Sequence, residues 1–386
     1  MNFQLTSEQC ELQETARRFA QKELKVVAEE LEREGKPLPK AWLERYAEMG
    51  FLGINVAEDL GGMGLGNLEA LLVLEEFSKI SSAVAFPIFE SSVGPVKAIE
   101  SFAQDELKRR VVPKVCEGKM VIAVSMSEPE AGTALTDLAT KAEIKGNKIL
   151  INGEKRWCSG AGHAEGYVVY CRLSDERGAK GIGAVFVEKD CQGVSFGEQE
   201  RLLGFRGIPS ADIYFDSVEV PLENIIVEAG GFSKLMEAFD LERCGNATMA
   251  LGQAAGSLDE VLGYVQERKQ FGRPIVDFQA VQIKLAEMAM QVDAARLLIH
   301  RAAVNSERGH PSIYESSLAK CFANEMAREV TGHAVQLMGG YGYSKDYPME
   351  RRLRDSWGWG IAGGTIDIQK VNIASSMVGR RFNQRI

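Results

Sequence analysis

Hydrophobic and polar residues follow three different patterns along this chain. The first and last thirds repeat apolar residues at helical spacing, whereas the middle third breaks into short alternating runs. The clearest helical face consists of Val281, Leu285, Met288, Val292, Ala295 and Ile299, which recur every three or four residues. The pattern predicts a helical domain at residues 1–118, a β domain at residues 119–228 and a second helical domain at residues 229–386.

Local signals place the individual elements. Residues 6–9 (Thr-Ser-Glu-Gln) provide capping side chains before an amphipathic stretch at 12–27, and the glycine-rich residues 61–66 predict a loop. A hairpin is predicted to turn at Gly146-Asn147. Further strands are expected at 167–171, 182–187 and 211–215, and long helices at 233–268, 279–308 and 314–338.

The composition narrows the class of protein. The chain has 386 residues with 54 acidic and 45 basic side chains, and its net charge of −9 argues against nucleic-acid binding. Seven cysteines form no CxxC pair, so free thiols in a reducing compartment are expected, and the four dispersed histidines predict no metal site. No apolar run of 18 residues and no signal-like N-terminus occur. We therefore expect a cytoplasmic protein of bacterial type, with a processed organellar form as the open alternative.

Residues 358–363 match the GxGxxG pattern of dinucleotide-binding folds. That motif requires a preceding strand and a following βαβ unit. Here the preceding residues 349–354 have a helical pattern, and too few residues follow Gly363 to build such a unit. A Rossmann domain is therefore not expected at the C-terminus.

Several segments together resemble the acyl-CoA dehydrogenase family, from about residue 3 to about residue 380. They are residues 127–133 (SEPEAGT), 153–159 (GEKRWCS), 268–272 (RKQFG), 336–342 (QLMGGYG), 347–351 (YPMER), 354–355 (RD) and 361–365 (IAGGT). The resemblance implies a multidomain α and β fold with an N-terminal helical domain, a central β-barrel domain and a C-terminal four-helix bundle. Thr133 keeps the hydroxyl of the Ser that is usual in the family, whereas Ala134 replaces its usual Asp.

The resemblance also implies an FAD-dependent flavoenzyme. In relatives, the segment that corresponds to residues 124–133 lines the flavin and its pyrophosphate, so the implied contacts are Val124, Met126, Ser127, Gly132 and Thr133. Trp157 would pack against the flavin, and Ser159 would form a hydrogen bond near its N5. Taken without the resemblance, the same segments are typical of a capped turn and an ordinary core tryptophan.

A second group of residues would hold the FAD of a neighbouring subunit. By resemblance it comprises Arg268, Phe271, Gln279, Gln336 and Gly340, and Thr365 and Asp367 would contact the adenosine part. An arginine fork suits pyrophosphate because it binds two oxygens at once, although Arg268 on its own is typical of a solvated helix charge. FAD bound across subunits implies an oligomer, and we expect a homotetramer or homodimer, as is usual in the family.

The candidate for the catalytic base is Glu242, because the position at which many family members carry this carboxylate is a glycine here, Gly363. Many family members carry their catalytic Glu at the position of Gly363, whereas isovaleryl- and long-chain-type members have a small residue there and take the Glu from an earlier helix. Glu242 occupies that alternative position, although a charged helix alone would suggest a solvated side chain. Glu90 is the second candidate, because its segment lines the acyl pocket of relatives; a loop carboxylate is the alternative interpretation. The implied substrate contacts are Thr133, Asp240, Arg243, Gly363 and Gly364.

The implied reaction removes hydrogens from Cα and Cβ of an acyl-CoA thioester. A base must take the weakly acidic Cα proton while the carbonyl oxygen is stabilised, by resemblance through a flavin hydroxyl and the backbone N–H of Gly363. Hydride would then leave Cβ for flavin N5, and the electrons would pass to an electron-transfer flavoprotein.

Other functions on the same fold stay open. Segments 204–209, 348–351 and 361–365 also resemble 3-sulfinopropionyl-CoA desulfinase, a relative that lacks a carboxylate at the position of Glu242. Enoyl-CoA reductases share the small residue at Gly363, so the direction of the reaction is not fixed by the sequence. A non-enzymatic acyl-CoA-binding flavoprotein is the alternative outside catalysis.

The residues around Gly363 suggest the shape of the acyl group. Gly363, Ala362 and Ala134 leave little side-chain bulk beside the thioester, which favours a short branched or cyclic acyl group, with or without a carboxylate. Trp357 or Trp359 would wall the cavity, with ordinary core packing as the alternative.

Overall fold

The chain folds into a helical part, a sheet and a second helical part, as the computed structural model shows for residues 3–382. The helices of the first part are α1 (Ser7–Phe19), α2 (Lys25–Glu34), α3 (Lys40–Glu48), α4 (Asn67–Ser78), α5 (Ser82–Ile88), α6 (Pro95–Phe102) and α7 (Asp105–Cys116). The predicted cap is confirmed, since the Thr6 side chain accepts from the Gln9 N–H and the Gln9 side chain accepts from the Thr6 N–H. A π-helical turn, Phe89–Val93, continues α5 towards α6.

The middle part is an eight-stranded sheet. Its strands are β1 (Ile122–Ser125), β2 (Lys141–Lys145), β3 (Lys148–Ser159), β4 (Gly166–Arg172), β5 (Ile182–Glu188), β6 (Val194–Phe196), β7 (Ser210–Pro221) and β8 (Ile225–Val227). Neighbouring strands follow the order β6-β7-β3-β2-β4-β5-β8, and β1 pairs in parallel with β4. The β2–β3 hairpin turns at Gly146-Asn147, as predicted. Among the described strands, no pairing joins β6 directly to β8.

The sheet is buried on both faces at its centre. Tyr167 and Val169 of β4 point into the sheet's own hydrophobic core. Val168 and Tyr170 of the same strand point the other way and join the core that α6 and α7 contribute. Burial on two sides explains why β4 and β5 are continuous apolar runs, rather than strands that alternate apolar and polar residues.

The last part is helical and shares one hydrophobic core with the first helices. Its elements are α8 (Phe232–Glu267), β9 (Lys269–Gln270), β10 (Arg273–Pro274), α9 (Gln279–Ser306), α10 (Ile313–Met338), α11 (Gly340–Tyr343), α12 (Met349–Trp359) and α13 (Ile366–Val378). The predicted face of α9 is confirmed, because Met288, Val292, Ala295 and Ile299 are buried. The long helices α8 and α10 pack against each other, and α12 and α13 pack on α10.

The predicted order of helical, β and helical parts is therefore confirmed. Residue 118 falls between α7 and β1 and residue 228 between β8 and α8, while their use as domain limits stays a prediction. The GxGxxG match at 358–363 follows the helix α12, not a strand. Between residues 3 and 382 no helix is long and apolar enough to cross a membrane. The few residues of the predicted domains at 1–2 and 383–386 lie outside the described part.

Candidate active site

Glu242 lies early in α8 and is partly buried. Within residues 3–382 its carboxylate receives no hydrogen bond, and its strongest charged neighbours are Lys320 and Arg243. Burial raises the pKa of Glu242 to about 8, against the lowering effect of those two cations. A carboxyl group with a pKa near the working pH is suited to exchange a proton with a bound ligand.

A second carboxyl group comes close to Glu242. Helix α8 approaches the π-helical turn Phe89–Val93 tightly at Gly245, where a Cβ atom would lie 2.4 Å from Val93 Cγ2. Glu90, on this turn, is only 6% exposed. Burial raises the pKa of Glu90 well above its usual range, and the charges of Glu242 and Glu165 raise it further. Burial and the charge of Glu242 both disfavour the ionised form of Glu90 that a base requires, so Glu242 is the better candidate of the two.

The loop between α12 and α13 passes next to this helix. Its residue Gly363 has a φ of +67°, a conformation that favours glycine. A Cβ atom at Gly363 would lie 3.1 Å from Lys320 Nζ and 3.7 Å from Phe239 Cζ. No described residue accepts a hydrogen bond from the Gly363 N–H, which leaves this donor available to a ligand oxygen.

Lys320 supports the same loop from inside the protein. It is fully buried on α10, and its Nζ donates hydrogen bonds to the carbonyl oxygens of Ala362 and Gly364, the second at 2.7 Å. Burial lowers the pKa of Lys320 well below its usual range, and Arg243 lowers it further, whereas Glu242 opposes the shift. Lys320 thus connects the Gly363 loop electrostatically to Glu242.

Asp240 and Arg243, two of the predicted substrate contacts, pair with each other. Arg243 donates to Asp240 Oδ1, which also accepts from Ser316 Oγ at 2.7 Å. The guanidinium carbon of Arg243 lies 5.1 Å from the centre of the Phe239 ring. Both charged residues are buried on either side of Glu242 in the sequence of α8. The structure therefore places them beside the candidate base, while their contact with a substrate stays a prediction.

A buried ion pair between Lys155 and Glu128 fixes the first predicted flavin segment, residues 124–133. Lys155 of β3 donates to the Met126 carbonyl at 2.9 Å and to Glu128 Oε1 at 2.8 Å. Glu128 also accepts from the backbone N–H groups of Ala139 and Thr140. These bonds hold the turn after β1 against β3, because every polar atom of the pair finds a partner there.

The turn itself presents an open surface. Gly132 and Thr133 are exposed, and a Cβ atom at Gly132 would meet nothing within 4 Å. Packing within the described chain therefore does not explain the glycine, whereas close approach of a ligand does. The other predicted contacts in the segment are partly buried, namely Val124, Met126 and Ser127.

Trp157 is not a core residue, so that interpretation is wrong. It lies at a register shift between β3 and β7, where the bulge turns its side chain outwards. Its backbone has a φ of +61°, and its side chain is 51% exposed with the Arg156 guanidinium 4.3 Å from the ring. Strained backbone that exposes an indole is typical of a functional surface. Ser159 follows two residues later at the same end of β3 and is partly buried.

The second predicted group lies in another place. Arg268, Gln336 and Gly340 line a cleft of about 610 Å³, and the Arg268 guanidinium carbon lies 5.7 Å from the Tyr341 ring. In the described residues no hydrogen bond or ring contact joins this cleft to Trp157. That the two predicted groups serve different subunits stays a prediction.

Phe271 occupies the tip of the β9–β10 hairpin. The two turn residues, Phe271 and Gly272, have φ values of +52° and +80°, as a type I′ turn requires. Such positions favour Gly or Asn, yet the phenylalanine ring is 94% exposed. Its own chain gives the ring little to pack against, so a partner or ligand is the better explanation. Gln279, exposed at the start of α9, follows the same hairpin.

The predicted adenosine contacts lie at the start of α13. Thr365 caps this helix by accepting from the Ile368 N–H at 3.5 Å. Asp367 is exposed in the first turn, where a carboxylate is favoured by the helix dipole alone. The structure thus explains both residues locally, and their contact with adenosine stays a prediction.

Sequence reasoning missed two residues under the Gly363 loop, Lys320 and Asn246. Both are buried, and Asn246 Nδ2 donates to the carbonyl oxygens of Trp359 and Ala362. The only signal in the sequence is a polar residue among small apolar neighbours on a buried helix face. That signal is weak, because it does not reveal the distant carbonyl groups that satisfy these side chains.

Comparison with known proteins gives matches along nearly the whole chain. Profiles described as acyl-CoA dehydrogenase N-terminal, middle and C-terminal domains match residues 6–119, 123–218 and 229–378. An acryloyl-CoA reductase (NADH) of Anaerotignum propionicum is 38% identical, over 98% of this chain and 97% of that protein. A 3-sulfinopropanoyl-CoA desulfinase of Paraburkholderia xenovorans is 35% identical, over 99% of each. The structure of butyryl-CoA dehydrogenase from Megasphaera elsdenii superposes with a TM-score of 0.94 at 31% identity, covering 98% of this chain and 100% of that one.

Proposed function

The chain belongs to the acyl-CoA dehydrogenase family, and we propose that it is an FAD-dependent enzyme that removes hydrogens from Cα and Cβ of an acyl-CoA thioester. The observation that carries this proposal is the Glu242 carboxylate, which is partly buried, free of hydrogen bonds from described residues and coupled to the lysine that holds the Gly363 loop. A base for the Cα proton and an N–H donor for the carbonyl oxygen are what the formation of an enolate requires.

Several observations fit a bound FAD. Trp157 exposes an indole face, Gly132 leaves its backbone open to a ligand, and Arg268 borders a large cleft. We assign the Trp157 side to the flavin ring, and the cleft with Arg268 and Phe271 to the FAD of a second copy. Bound FAD would supply the two-electron acceptor that takes the Cβ hydride at its N5.

Glu242 is the proposed base for the Cα proton. Because burial disfavours its charged form, the ionised carboxylate gains more from taking a proton than a solvated glutamate would. The raised pKa therefore makes Glu242 a stronger base against a weak carbon acid. Burial and the charge of Glu242 disfavour ionisation of the nearby Glu90 carboxyl, which limits the negative charge that competes with Glu242.

The Gly363 N–H is the proposed donor to the thioester carbonyl oxygen. As the Cα proton leaves, negative charge builds up on that oxygen, and a backbone N–H fixed in advance stabilises it without reorganisation. The absence of a side chain at Gly363 does not remove this donor. Without a side chain at Gly363, the space beside the thioester is available to the substrate and is bordered by Phe239.

A reductase is the second candidate function. The relative from Anaerotignum propionicum is named an acryloyl-CoA reductase, and the same residues serve the reverse reaction, in which Glu242 gives its proton to Cα. The desulfinase relative favours neither direction, and the resemblance described above implies that it lacks a carboxylate at this position. Glu242 therefore argues for hydrogen transfer over desulfination.

We also propose that the enzyme is a homotetramer or homodimer and passes its electrons to an electron-transfer flavoprotein. An exposed apolar stripe supports an oligomer: Ile283, Met290, Leu297 and Val304 recur every seven residues on α9 and are 43–67% exposed. A row of this kind on a long helix is suited to pack against another helix. The electron partner rests on the family resemblance.

The proposed substrate is a compact branched or cyclic acyl-CoA. Trp359 is buried, packs 4.7 Å from the Phe205 ring and donates to Ser82 Oγ, so ordinary packing explains it. Trp357 is half-exposed beneath the Arg328 guanidinium. The aromatic ring nearest to Gly363 is Phe239. Because Gly363 has no side chain opposite this ring, we expect the pocket to accept a wide acyl group in preference to a long one.

Two measurements test the proposal. Cofactor extraction and mass analysis should identify FAD; protein that has no flavin, or only FMN, after incubation with excess FAD would contradict it. Under anaerobic conditions, isobutyryl- and cyclohexanecarbonyl-CoA should bleach the flavin faster than butyryl- or palmitoyl-CoA. Because each methylene contributes only modestly, a preference of about tenfold for palmitoyl-CoA would refute the compact pocket. A flavin that none of these thioesters reduces would favour a reductase direction or a binding protein.

A further inference from the structure

The carbonyl groups on both sides of Gly363 are held by buried side chains from three helices. Lys320 of α10 donates to Ala362 and Gly364. Asn246 of α8 donates a second bond to the Ala362 carbonyl at 3.3 Å, and Gln369 of α13 donates a second bond to the Gly364 carbonyl at 3.0 Å. We call Lys320, Asn246 and Gln369 the carbonyl cradle.

The cradle fixes the direction of the Gly363 N–H. In a planar trans peptide the C=O of one residue and the N–H of the next point in opposite directions. When Lys320 and Asn246 hold the Ala362 carbonyl on the inner side of the loop, the Gly363 N–H must therefore point to the other side. There no described residue accepts it. The second bond pair, at Gly364, limits rotation of the loop at its other end.

We propose that Lys320 and Asn246 are positioning residues that aim the Gly363 N–H at the thioester oxygen of the substrate. The inference rests on the function proposed above, because it presumes that a thioester carbonyl binds at this N–H. It assigns the two side chains no contact with the substrate. Their effect passes through the Ala362 carbonyl and the peptide plane that this carbonyl shares with Gly363.

The cradle is more elaborate than local stability requires. A single donor already satisfies each carbonyl, and the amide groups of Asn246 and Gln369 supply one each. Adding a fully buried lysine is costly, since its ammonium group loses hydration that two carbonyl groups replace only in part. Even the neutral amine keeps two N–H donors, so Lys320 can hold both carbonyl groups in either charge state. Control of geometry explains this arrangement better than satisfaction of the carbonyl groups alone.

The proposal can be tested by binding, without turnover. In a Glu242→Gln background loaded with FAD, we would measure the dissociation constants of isobutyryl-CoA and of S-isobutyl-CoA, its thioether analogue without the carbonyl group. The dissociation constant of the thioether divided by that of the thioester reports the carbonyl contact, because the two ligands differ only in the carbonyl group. Adding Lys320→Met or Asn246→Leu should reduce this ratio by about tenfold, the effect of losing one well-placed hydrogen bond, while thioether binding changes by less than about twofold. The infrared band of a ¹³C-labelled carbonyl should shift towards its value in water in the same variants.

Lys97→Met is the matched control. Lys97 is another buried lysine, 3% exposed, that donates to the backbone carbonyl of Asn55 at 3.1 Å, away from the Gly363 loop. It should destabilise the fold yet leave the thioester preference intact. If it abolished the preference as well, the effect would be general loosening and the positioning role would be refuted.

The remaining outcomes separate this inference from the proposed function. A thioester preference that survives in both Lys320→Met and Asn246→Leu would overturn the cradle and leave the proposed function standing. No thioester preference in the Glu242→Gln background would overturn the carbonyl contact itself, and with it the function. Should Lys320→Met fail to fold, Asn246→Leu still decides the question, because it removes one of the two donors to the Ala362 carbonyl while both donors to the Gly364 carbonyl remain to keep the loop folded.

Discussion

Replacing Glu242 by a glutamine should slow the reaction and stabilise the protein at the same time. The substitution keeps the size of the side chain but removes its charge and its ability to take a proton. Loss of a general base typically slows a reaction by about 10²–10⁴-fold, and we expect flavin reduction by an acyl-CoA to slow by at least that much. In the wild-type enzyme kcat/KM should rise with pH and level off above about 8, where Glu242 is ionised.

The stabilisation follows from the same pKa. Between pH 4.5 and about 8 native Glu242 keeps a proton that the unfolded chain releases, so its contribution to the free energy of unfolding falls as pH rises and stays low above pH 8. One proton gives a slope of at most about 1.4 kcal/mol per pH unit. Between pH 4.5 and about 8 the contribution of Glu242 to the free energy of unfolding therefore falls by on the order of 5 kcal/mol. This figure is an upper bound, because solvent reaches part of the Glu242 side chain. A glutamine side chain does not titrate, so the Glu242→Gln variant should avoid this loss.

The assay compares melting temperatures of the variant and the wild type at pH 5, 6, 7 and 8. The difference should grow steadily in favour of the variant, since groups elsewhere titrate equally in both proteins. The charge of Glu242 acts on Glu90, Tyr170 and Lys320, and the charge of Arg243, on the same helix, acts on Glu242. Loss of the Glu242 charge lowers the pKa of Glu90, and this affects stability only where Glu242 is ionised in the wild type.

Glu237→Gln provides the control, because Glu237 is exposed on the same helix. It should change neither flavin reduction nor the pH dependence of melting. Near-normal flavin reduction by Glu242→Gln would move the base elsewhere, with Glu90 as the first alternative. A melting difference that is the same at pH 5 and pH 8 would refute the argument that burial raises the pKa of Glu242.

Three further predictions concern single residues. Glu90→Gln should keep flavin reduction within about tenfold of wild type, because burial and the Glu242 charge disfavour the ionised form that a base requires; a loss as large as that of Glu242→Gln would contradict this. Gly363→Ala should destabilise by about 1 kcal/mol for its φ of +67° and further for its contact with Lys320. Gly379→Ala, with a φ of +66° and no atom within 4 Å, measures the backbone part alone, so equal melting losses would refute the contact. Trp157→Ala should weaken FAD binding by about tenfold, the effect of one lost aromatic contact, without lowering the melting temperature of the apoprotein, because the indole is half-exposed; unchanged FAD affinity would contradict its proposed role.

Periodicity predicted the elements well where one period persisted over many residues. The helices at 232–267, 279–306 and 313–338 lie within two residues of their predicted limits. The β4 and β5 strands were found because their apolar runs are short and bounded by turn residues. By contrast, the π-helical turn at Phe89–Val93 has no periodic signature, and it decides where Glu90 points.

The candidate site was predictable only in part. Gly363 and Glu242 were found through the resemblance, but the pKa of Glu242 depends on burial by distant segments, which no local pattern encodes. For Trp157 the residue type alone is misleading. A tryptophan is typical of a hydrophobic core, whereas a β-bulge turns this side chain outwards. Lys320 was missed because its two acceptors are backbone carbonyl groups more than forty residues away, and backbone acceptors carry no residue signal.

The position of the base and the support of the loop are physically connected. A side chain at Gly363 would place its Cβ atom 3.1 Å from Lys320 Nζ, so the lysine would have to give way by a few tenths of an ångström. It would also have to tolerate a φ of +67°, which glycine adopts without strain. With the carboxylate on α8, Gly363 can keep this conformation, and Lys320 can approach close enough to hold both neighbouring carbonyl groups. A glutamate at position 363 would have to combine proton transfer with carbonyl binding. In this chain we assign proton transfer to Glu242 on α8 and carbonyl binding to the Gly363 loop. Lys320 is the side chain that interacts with both.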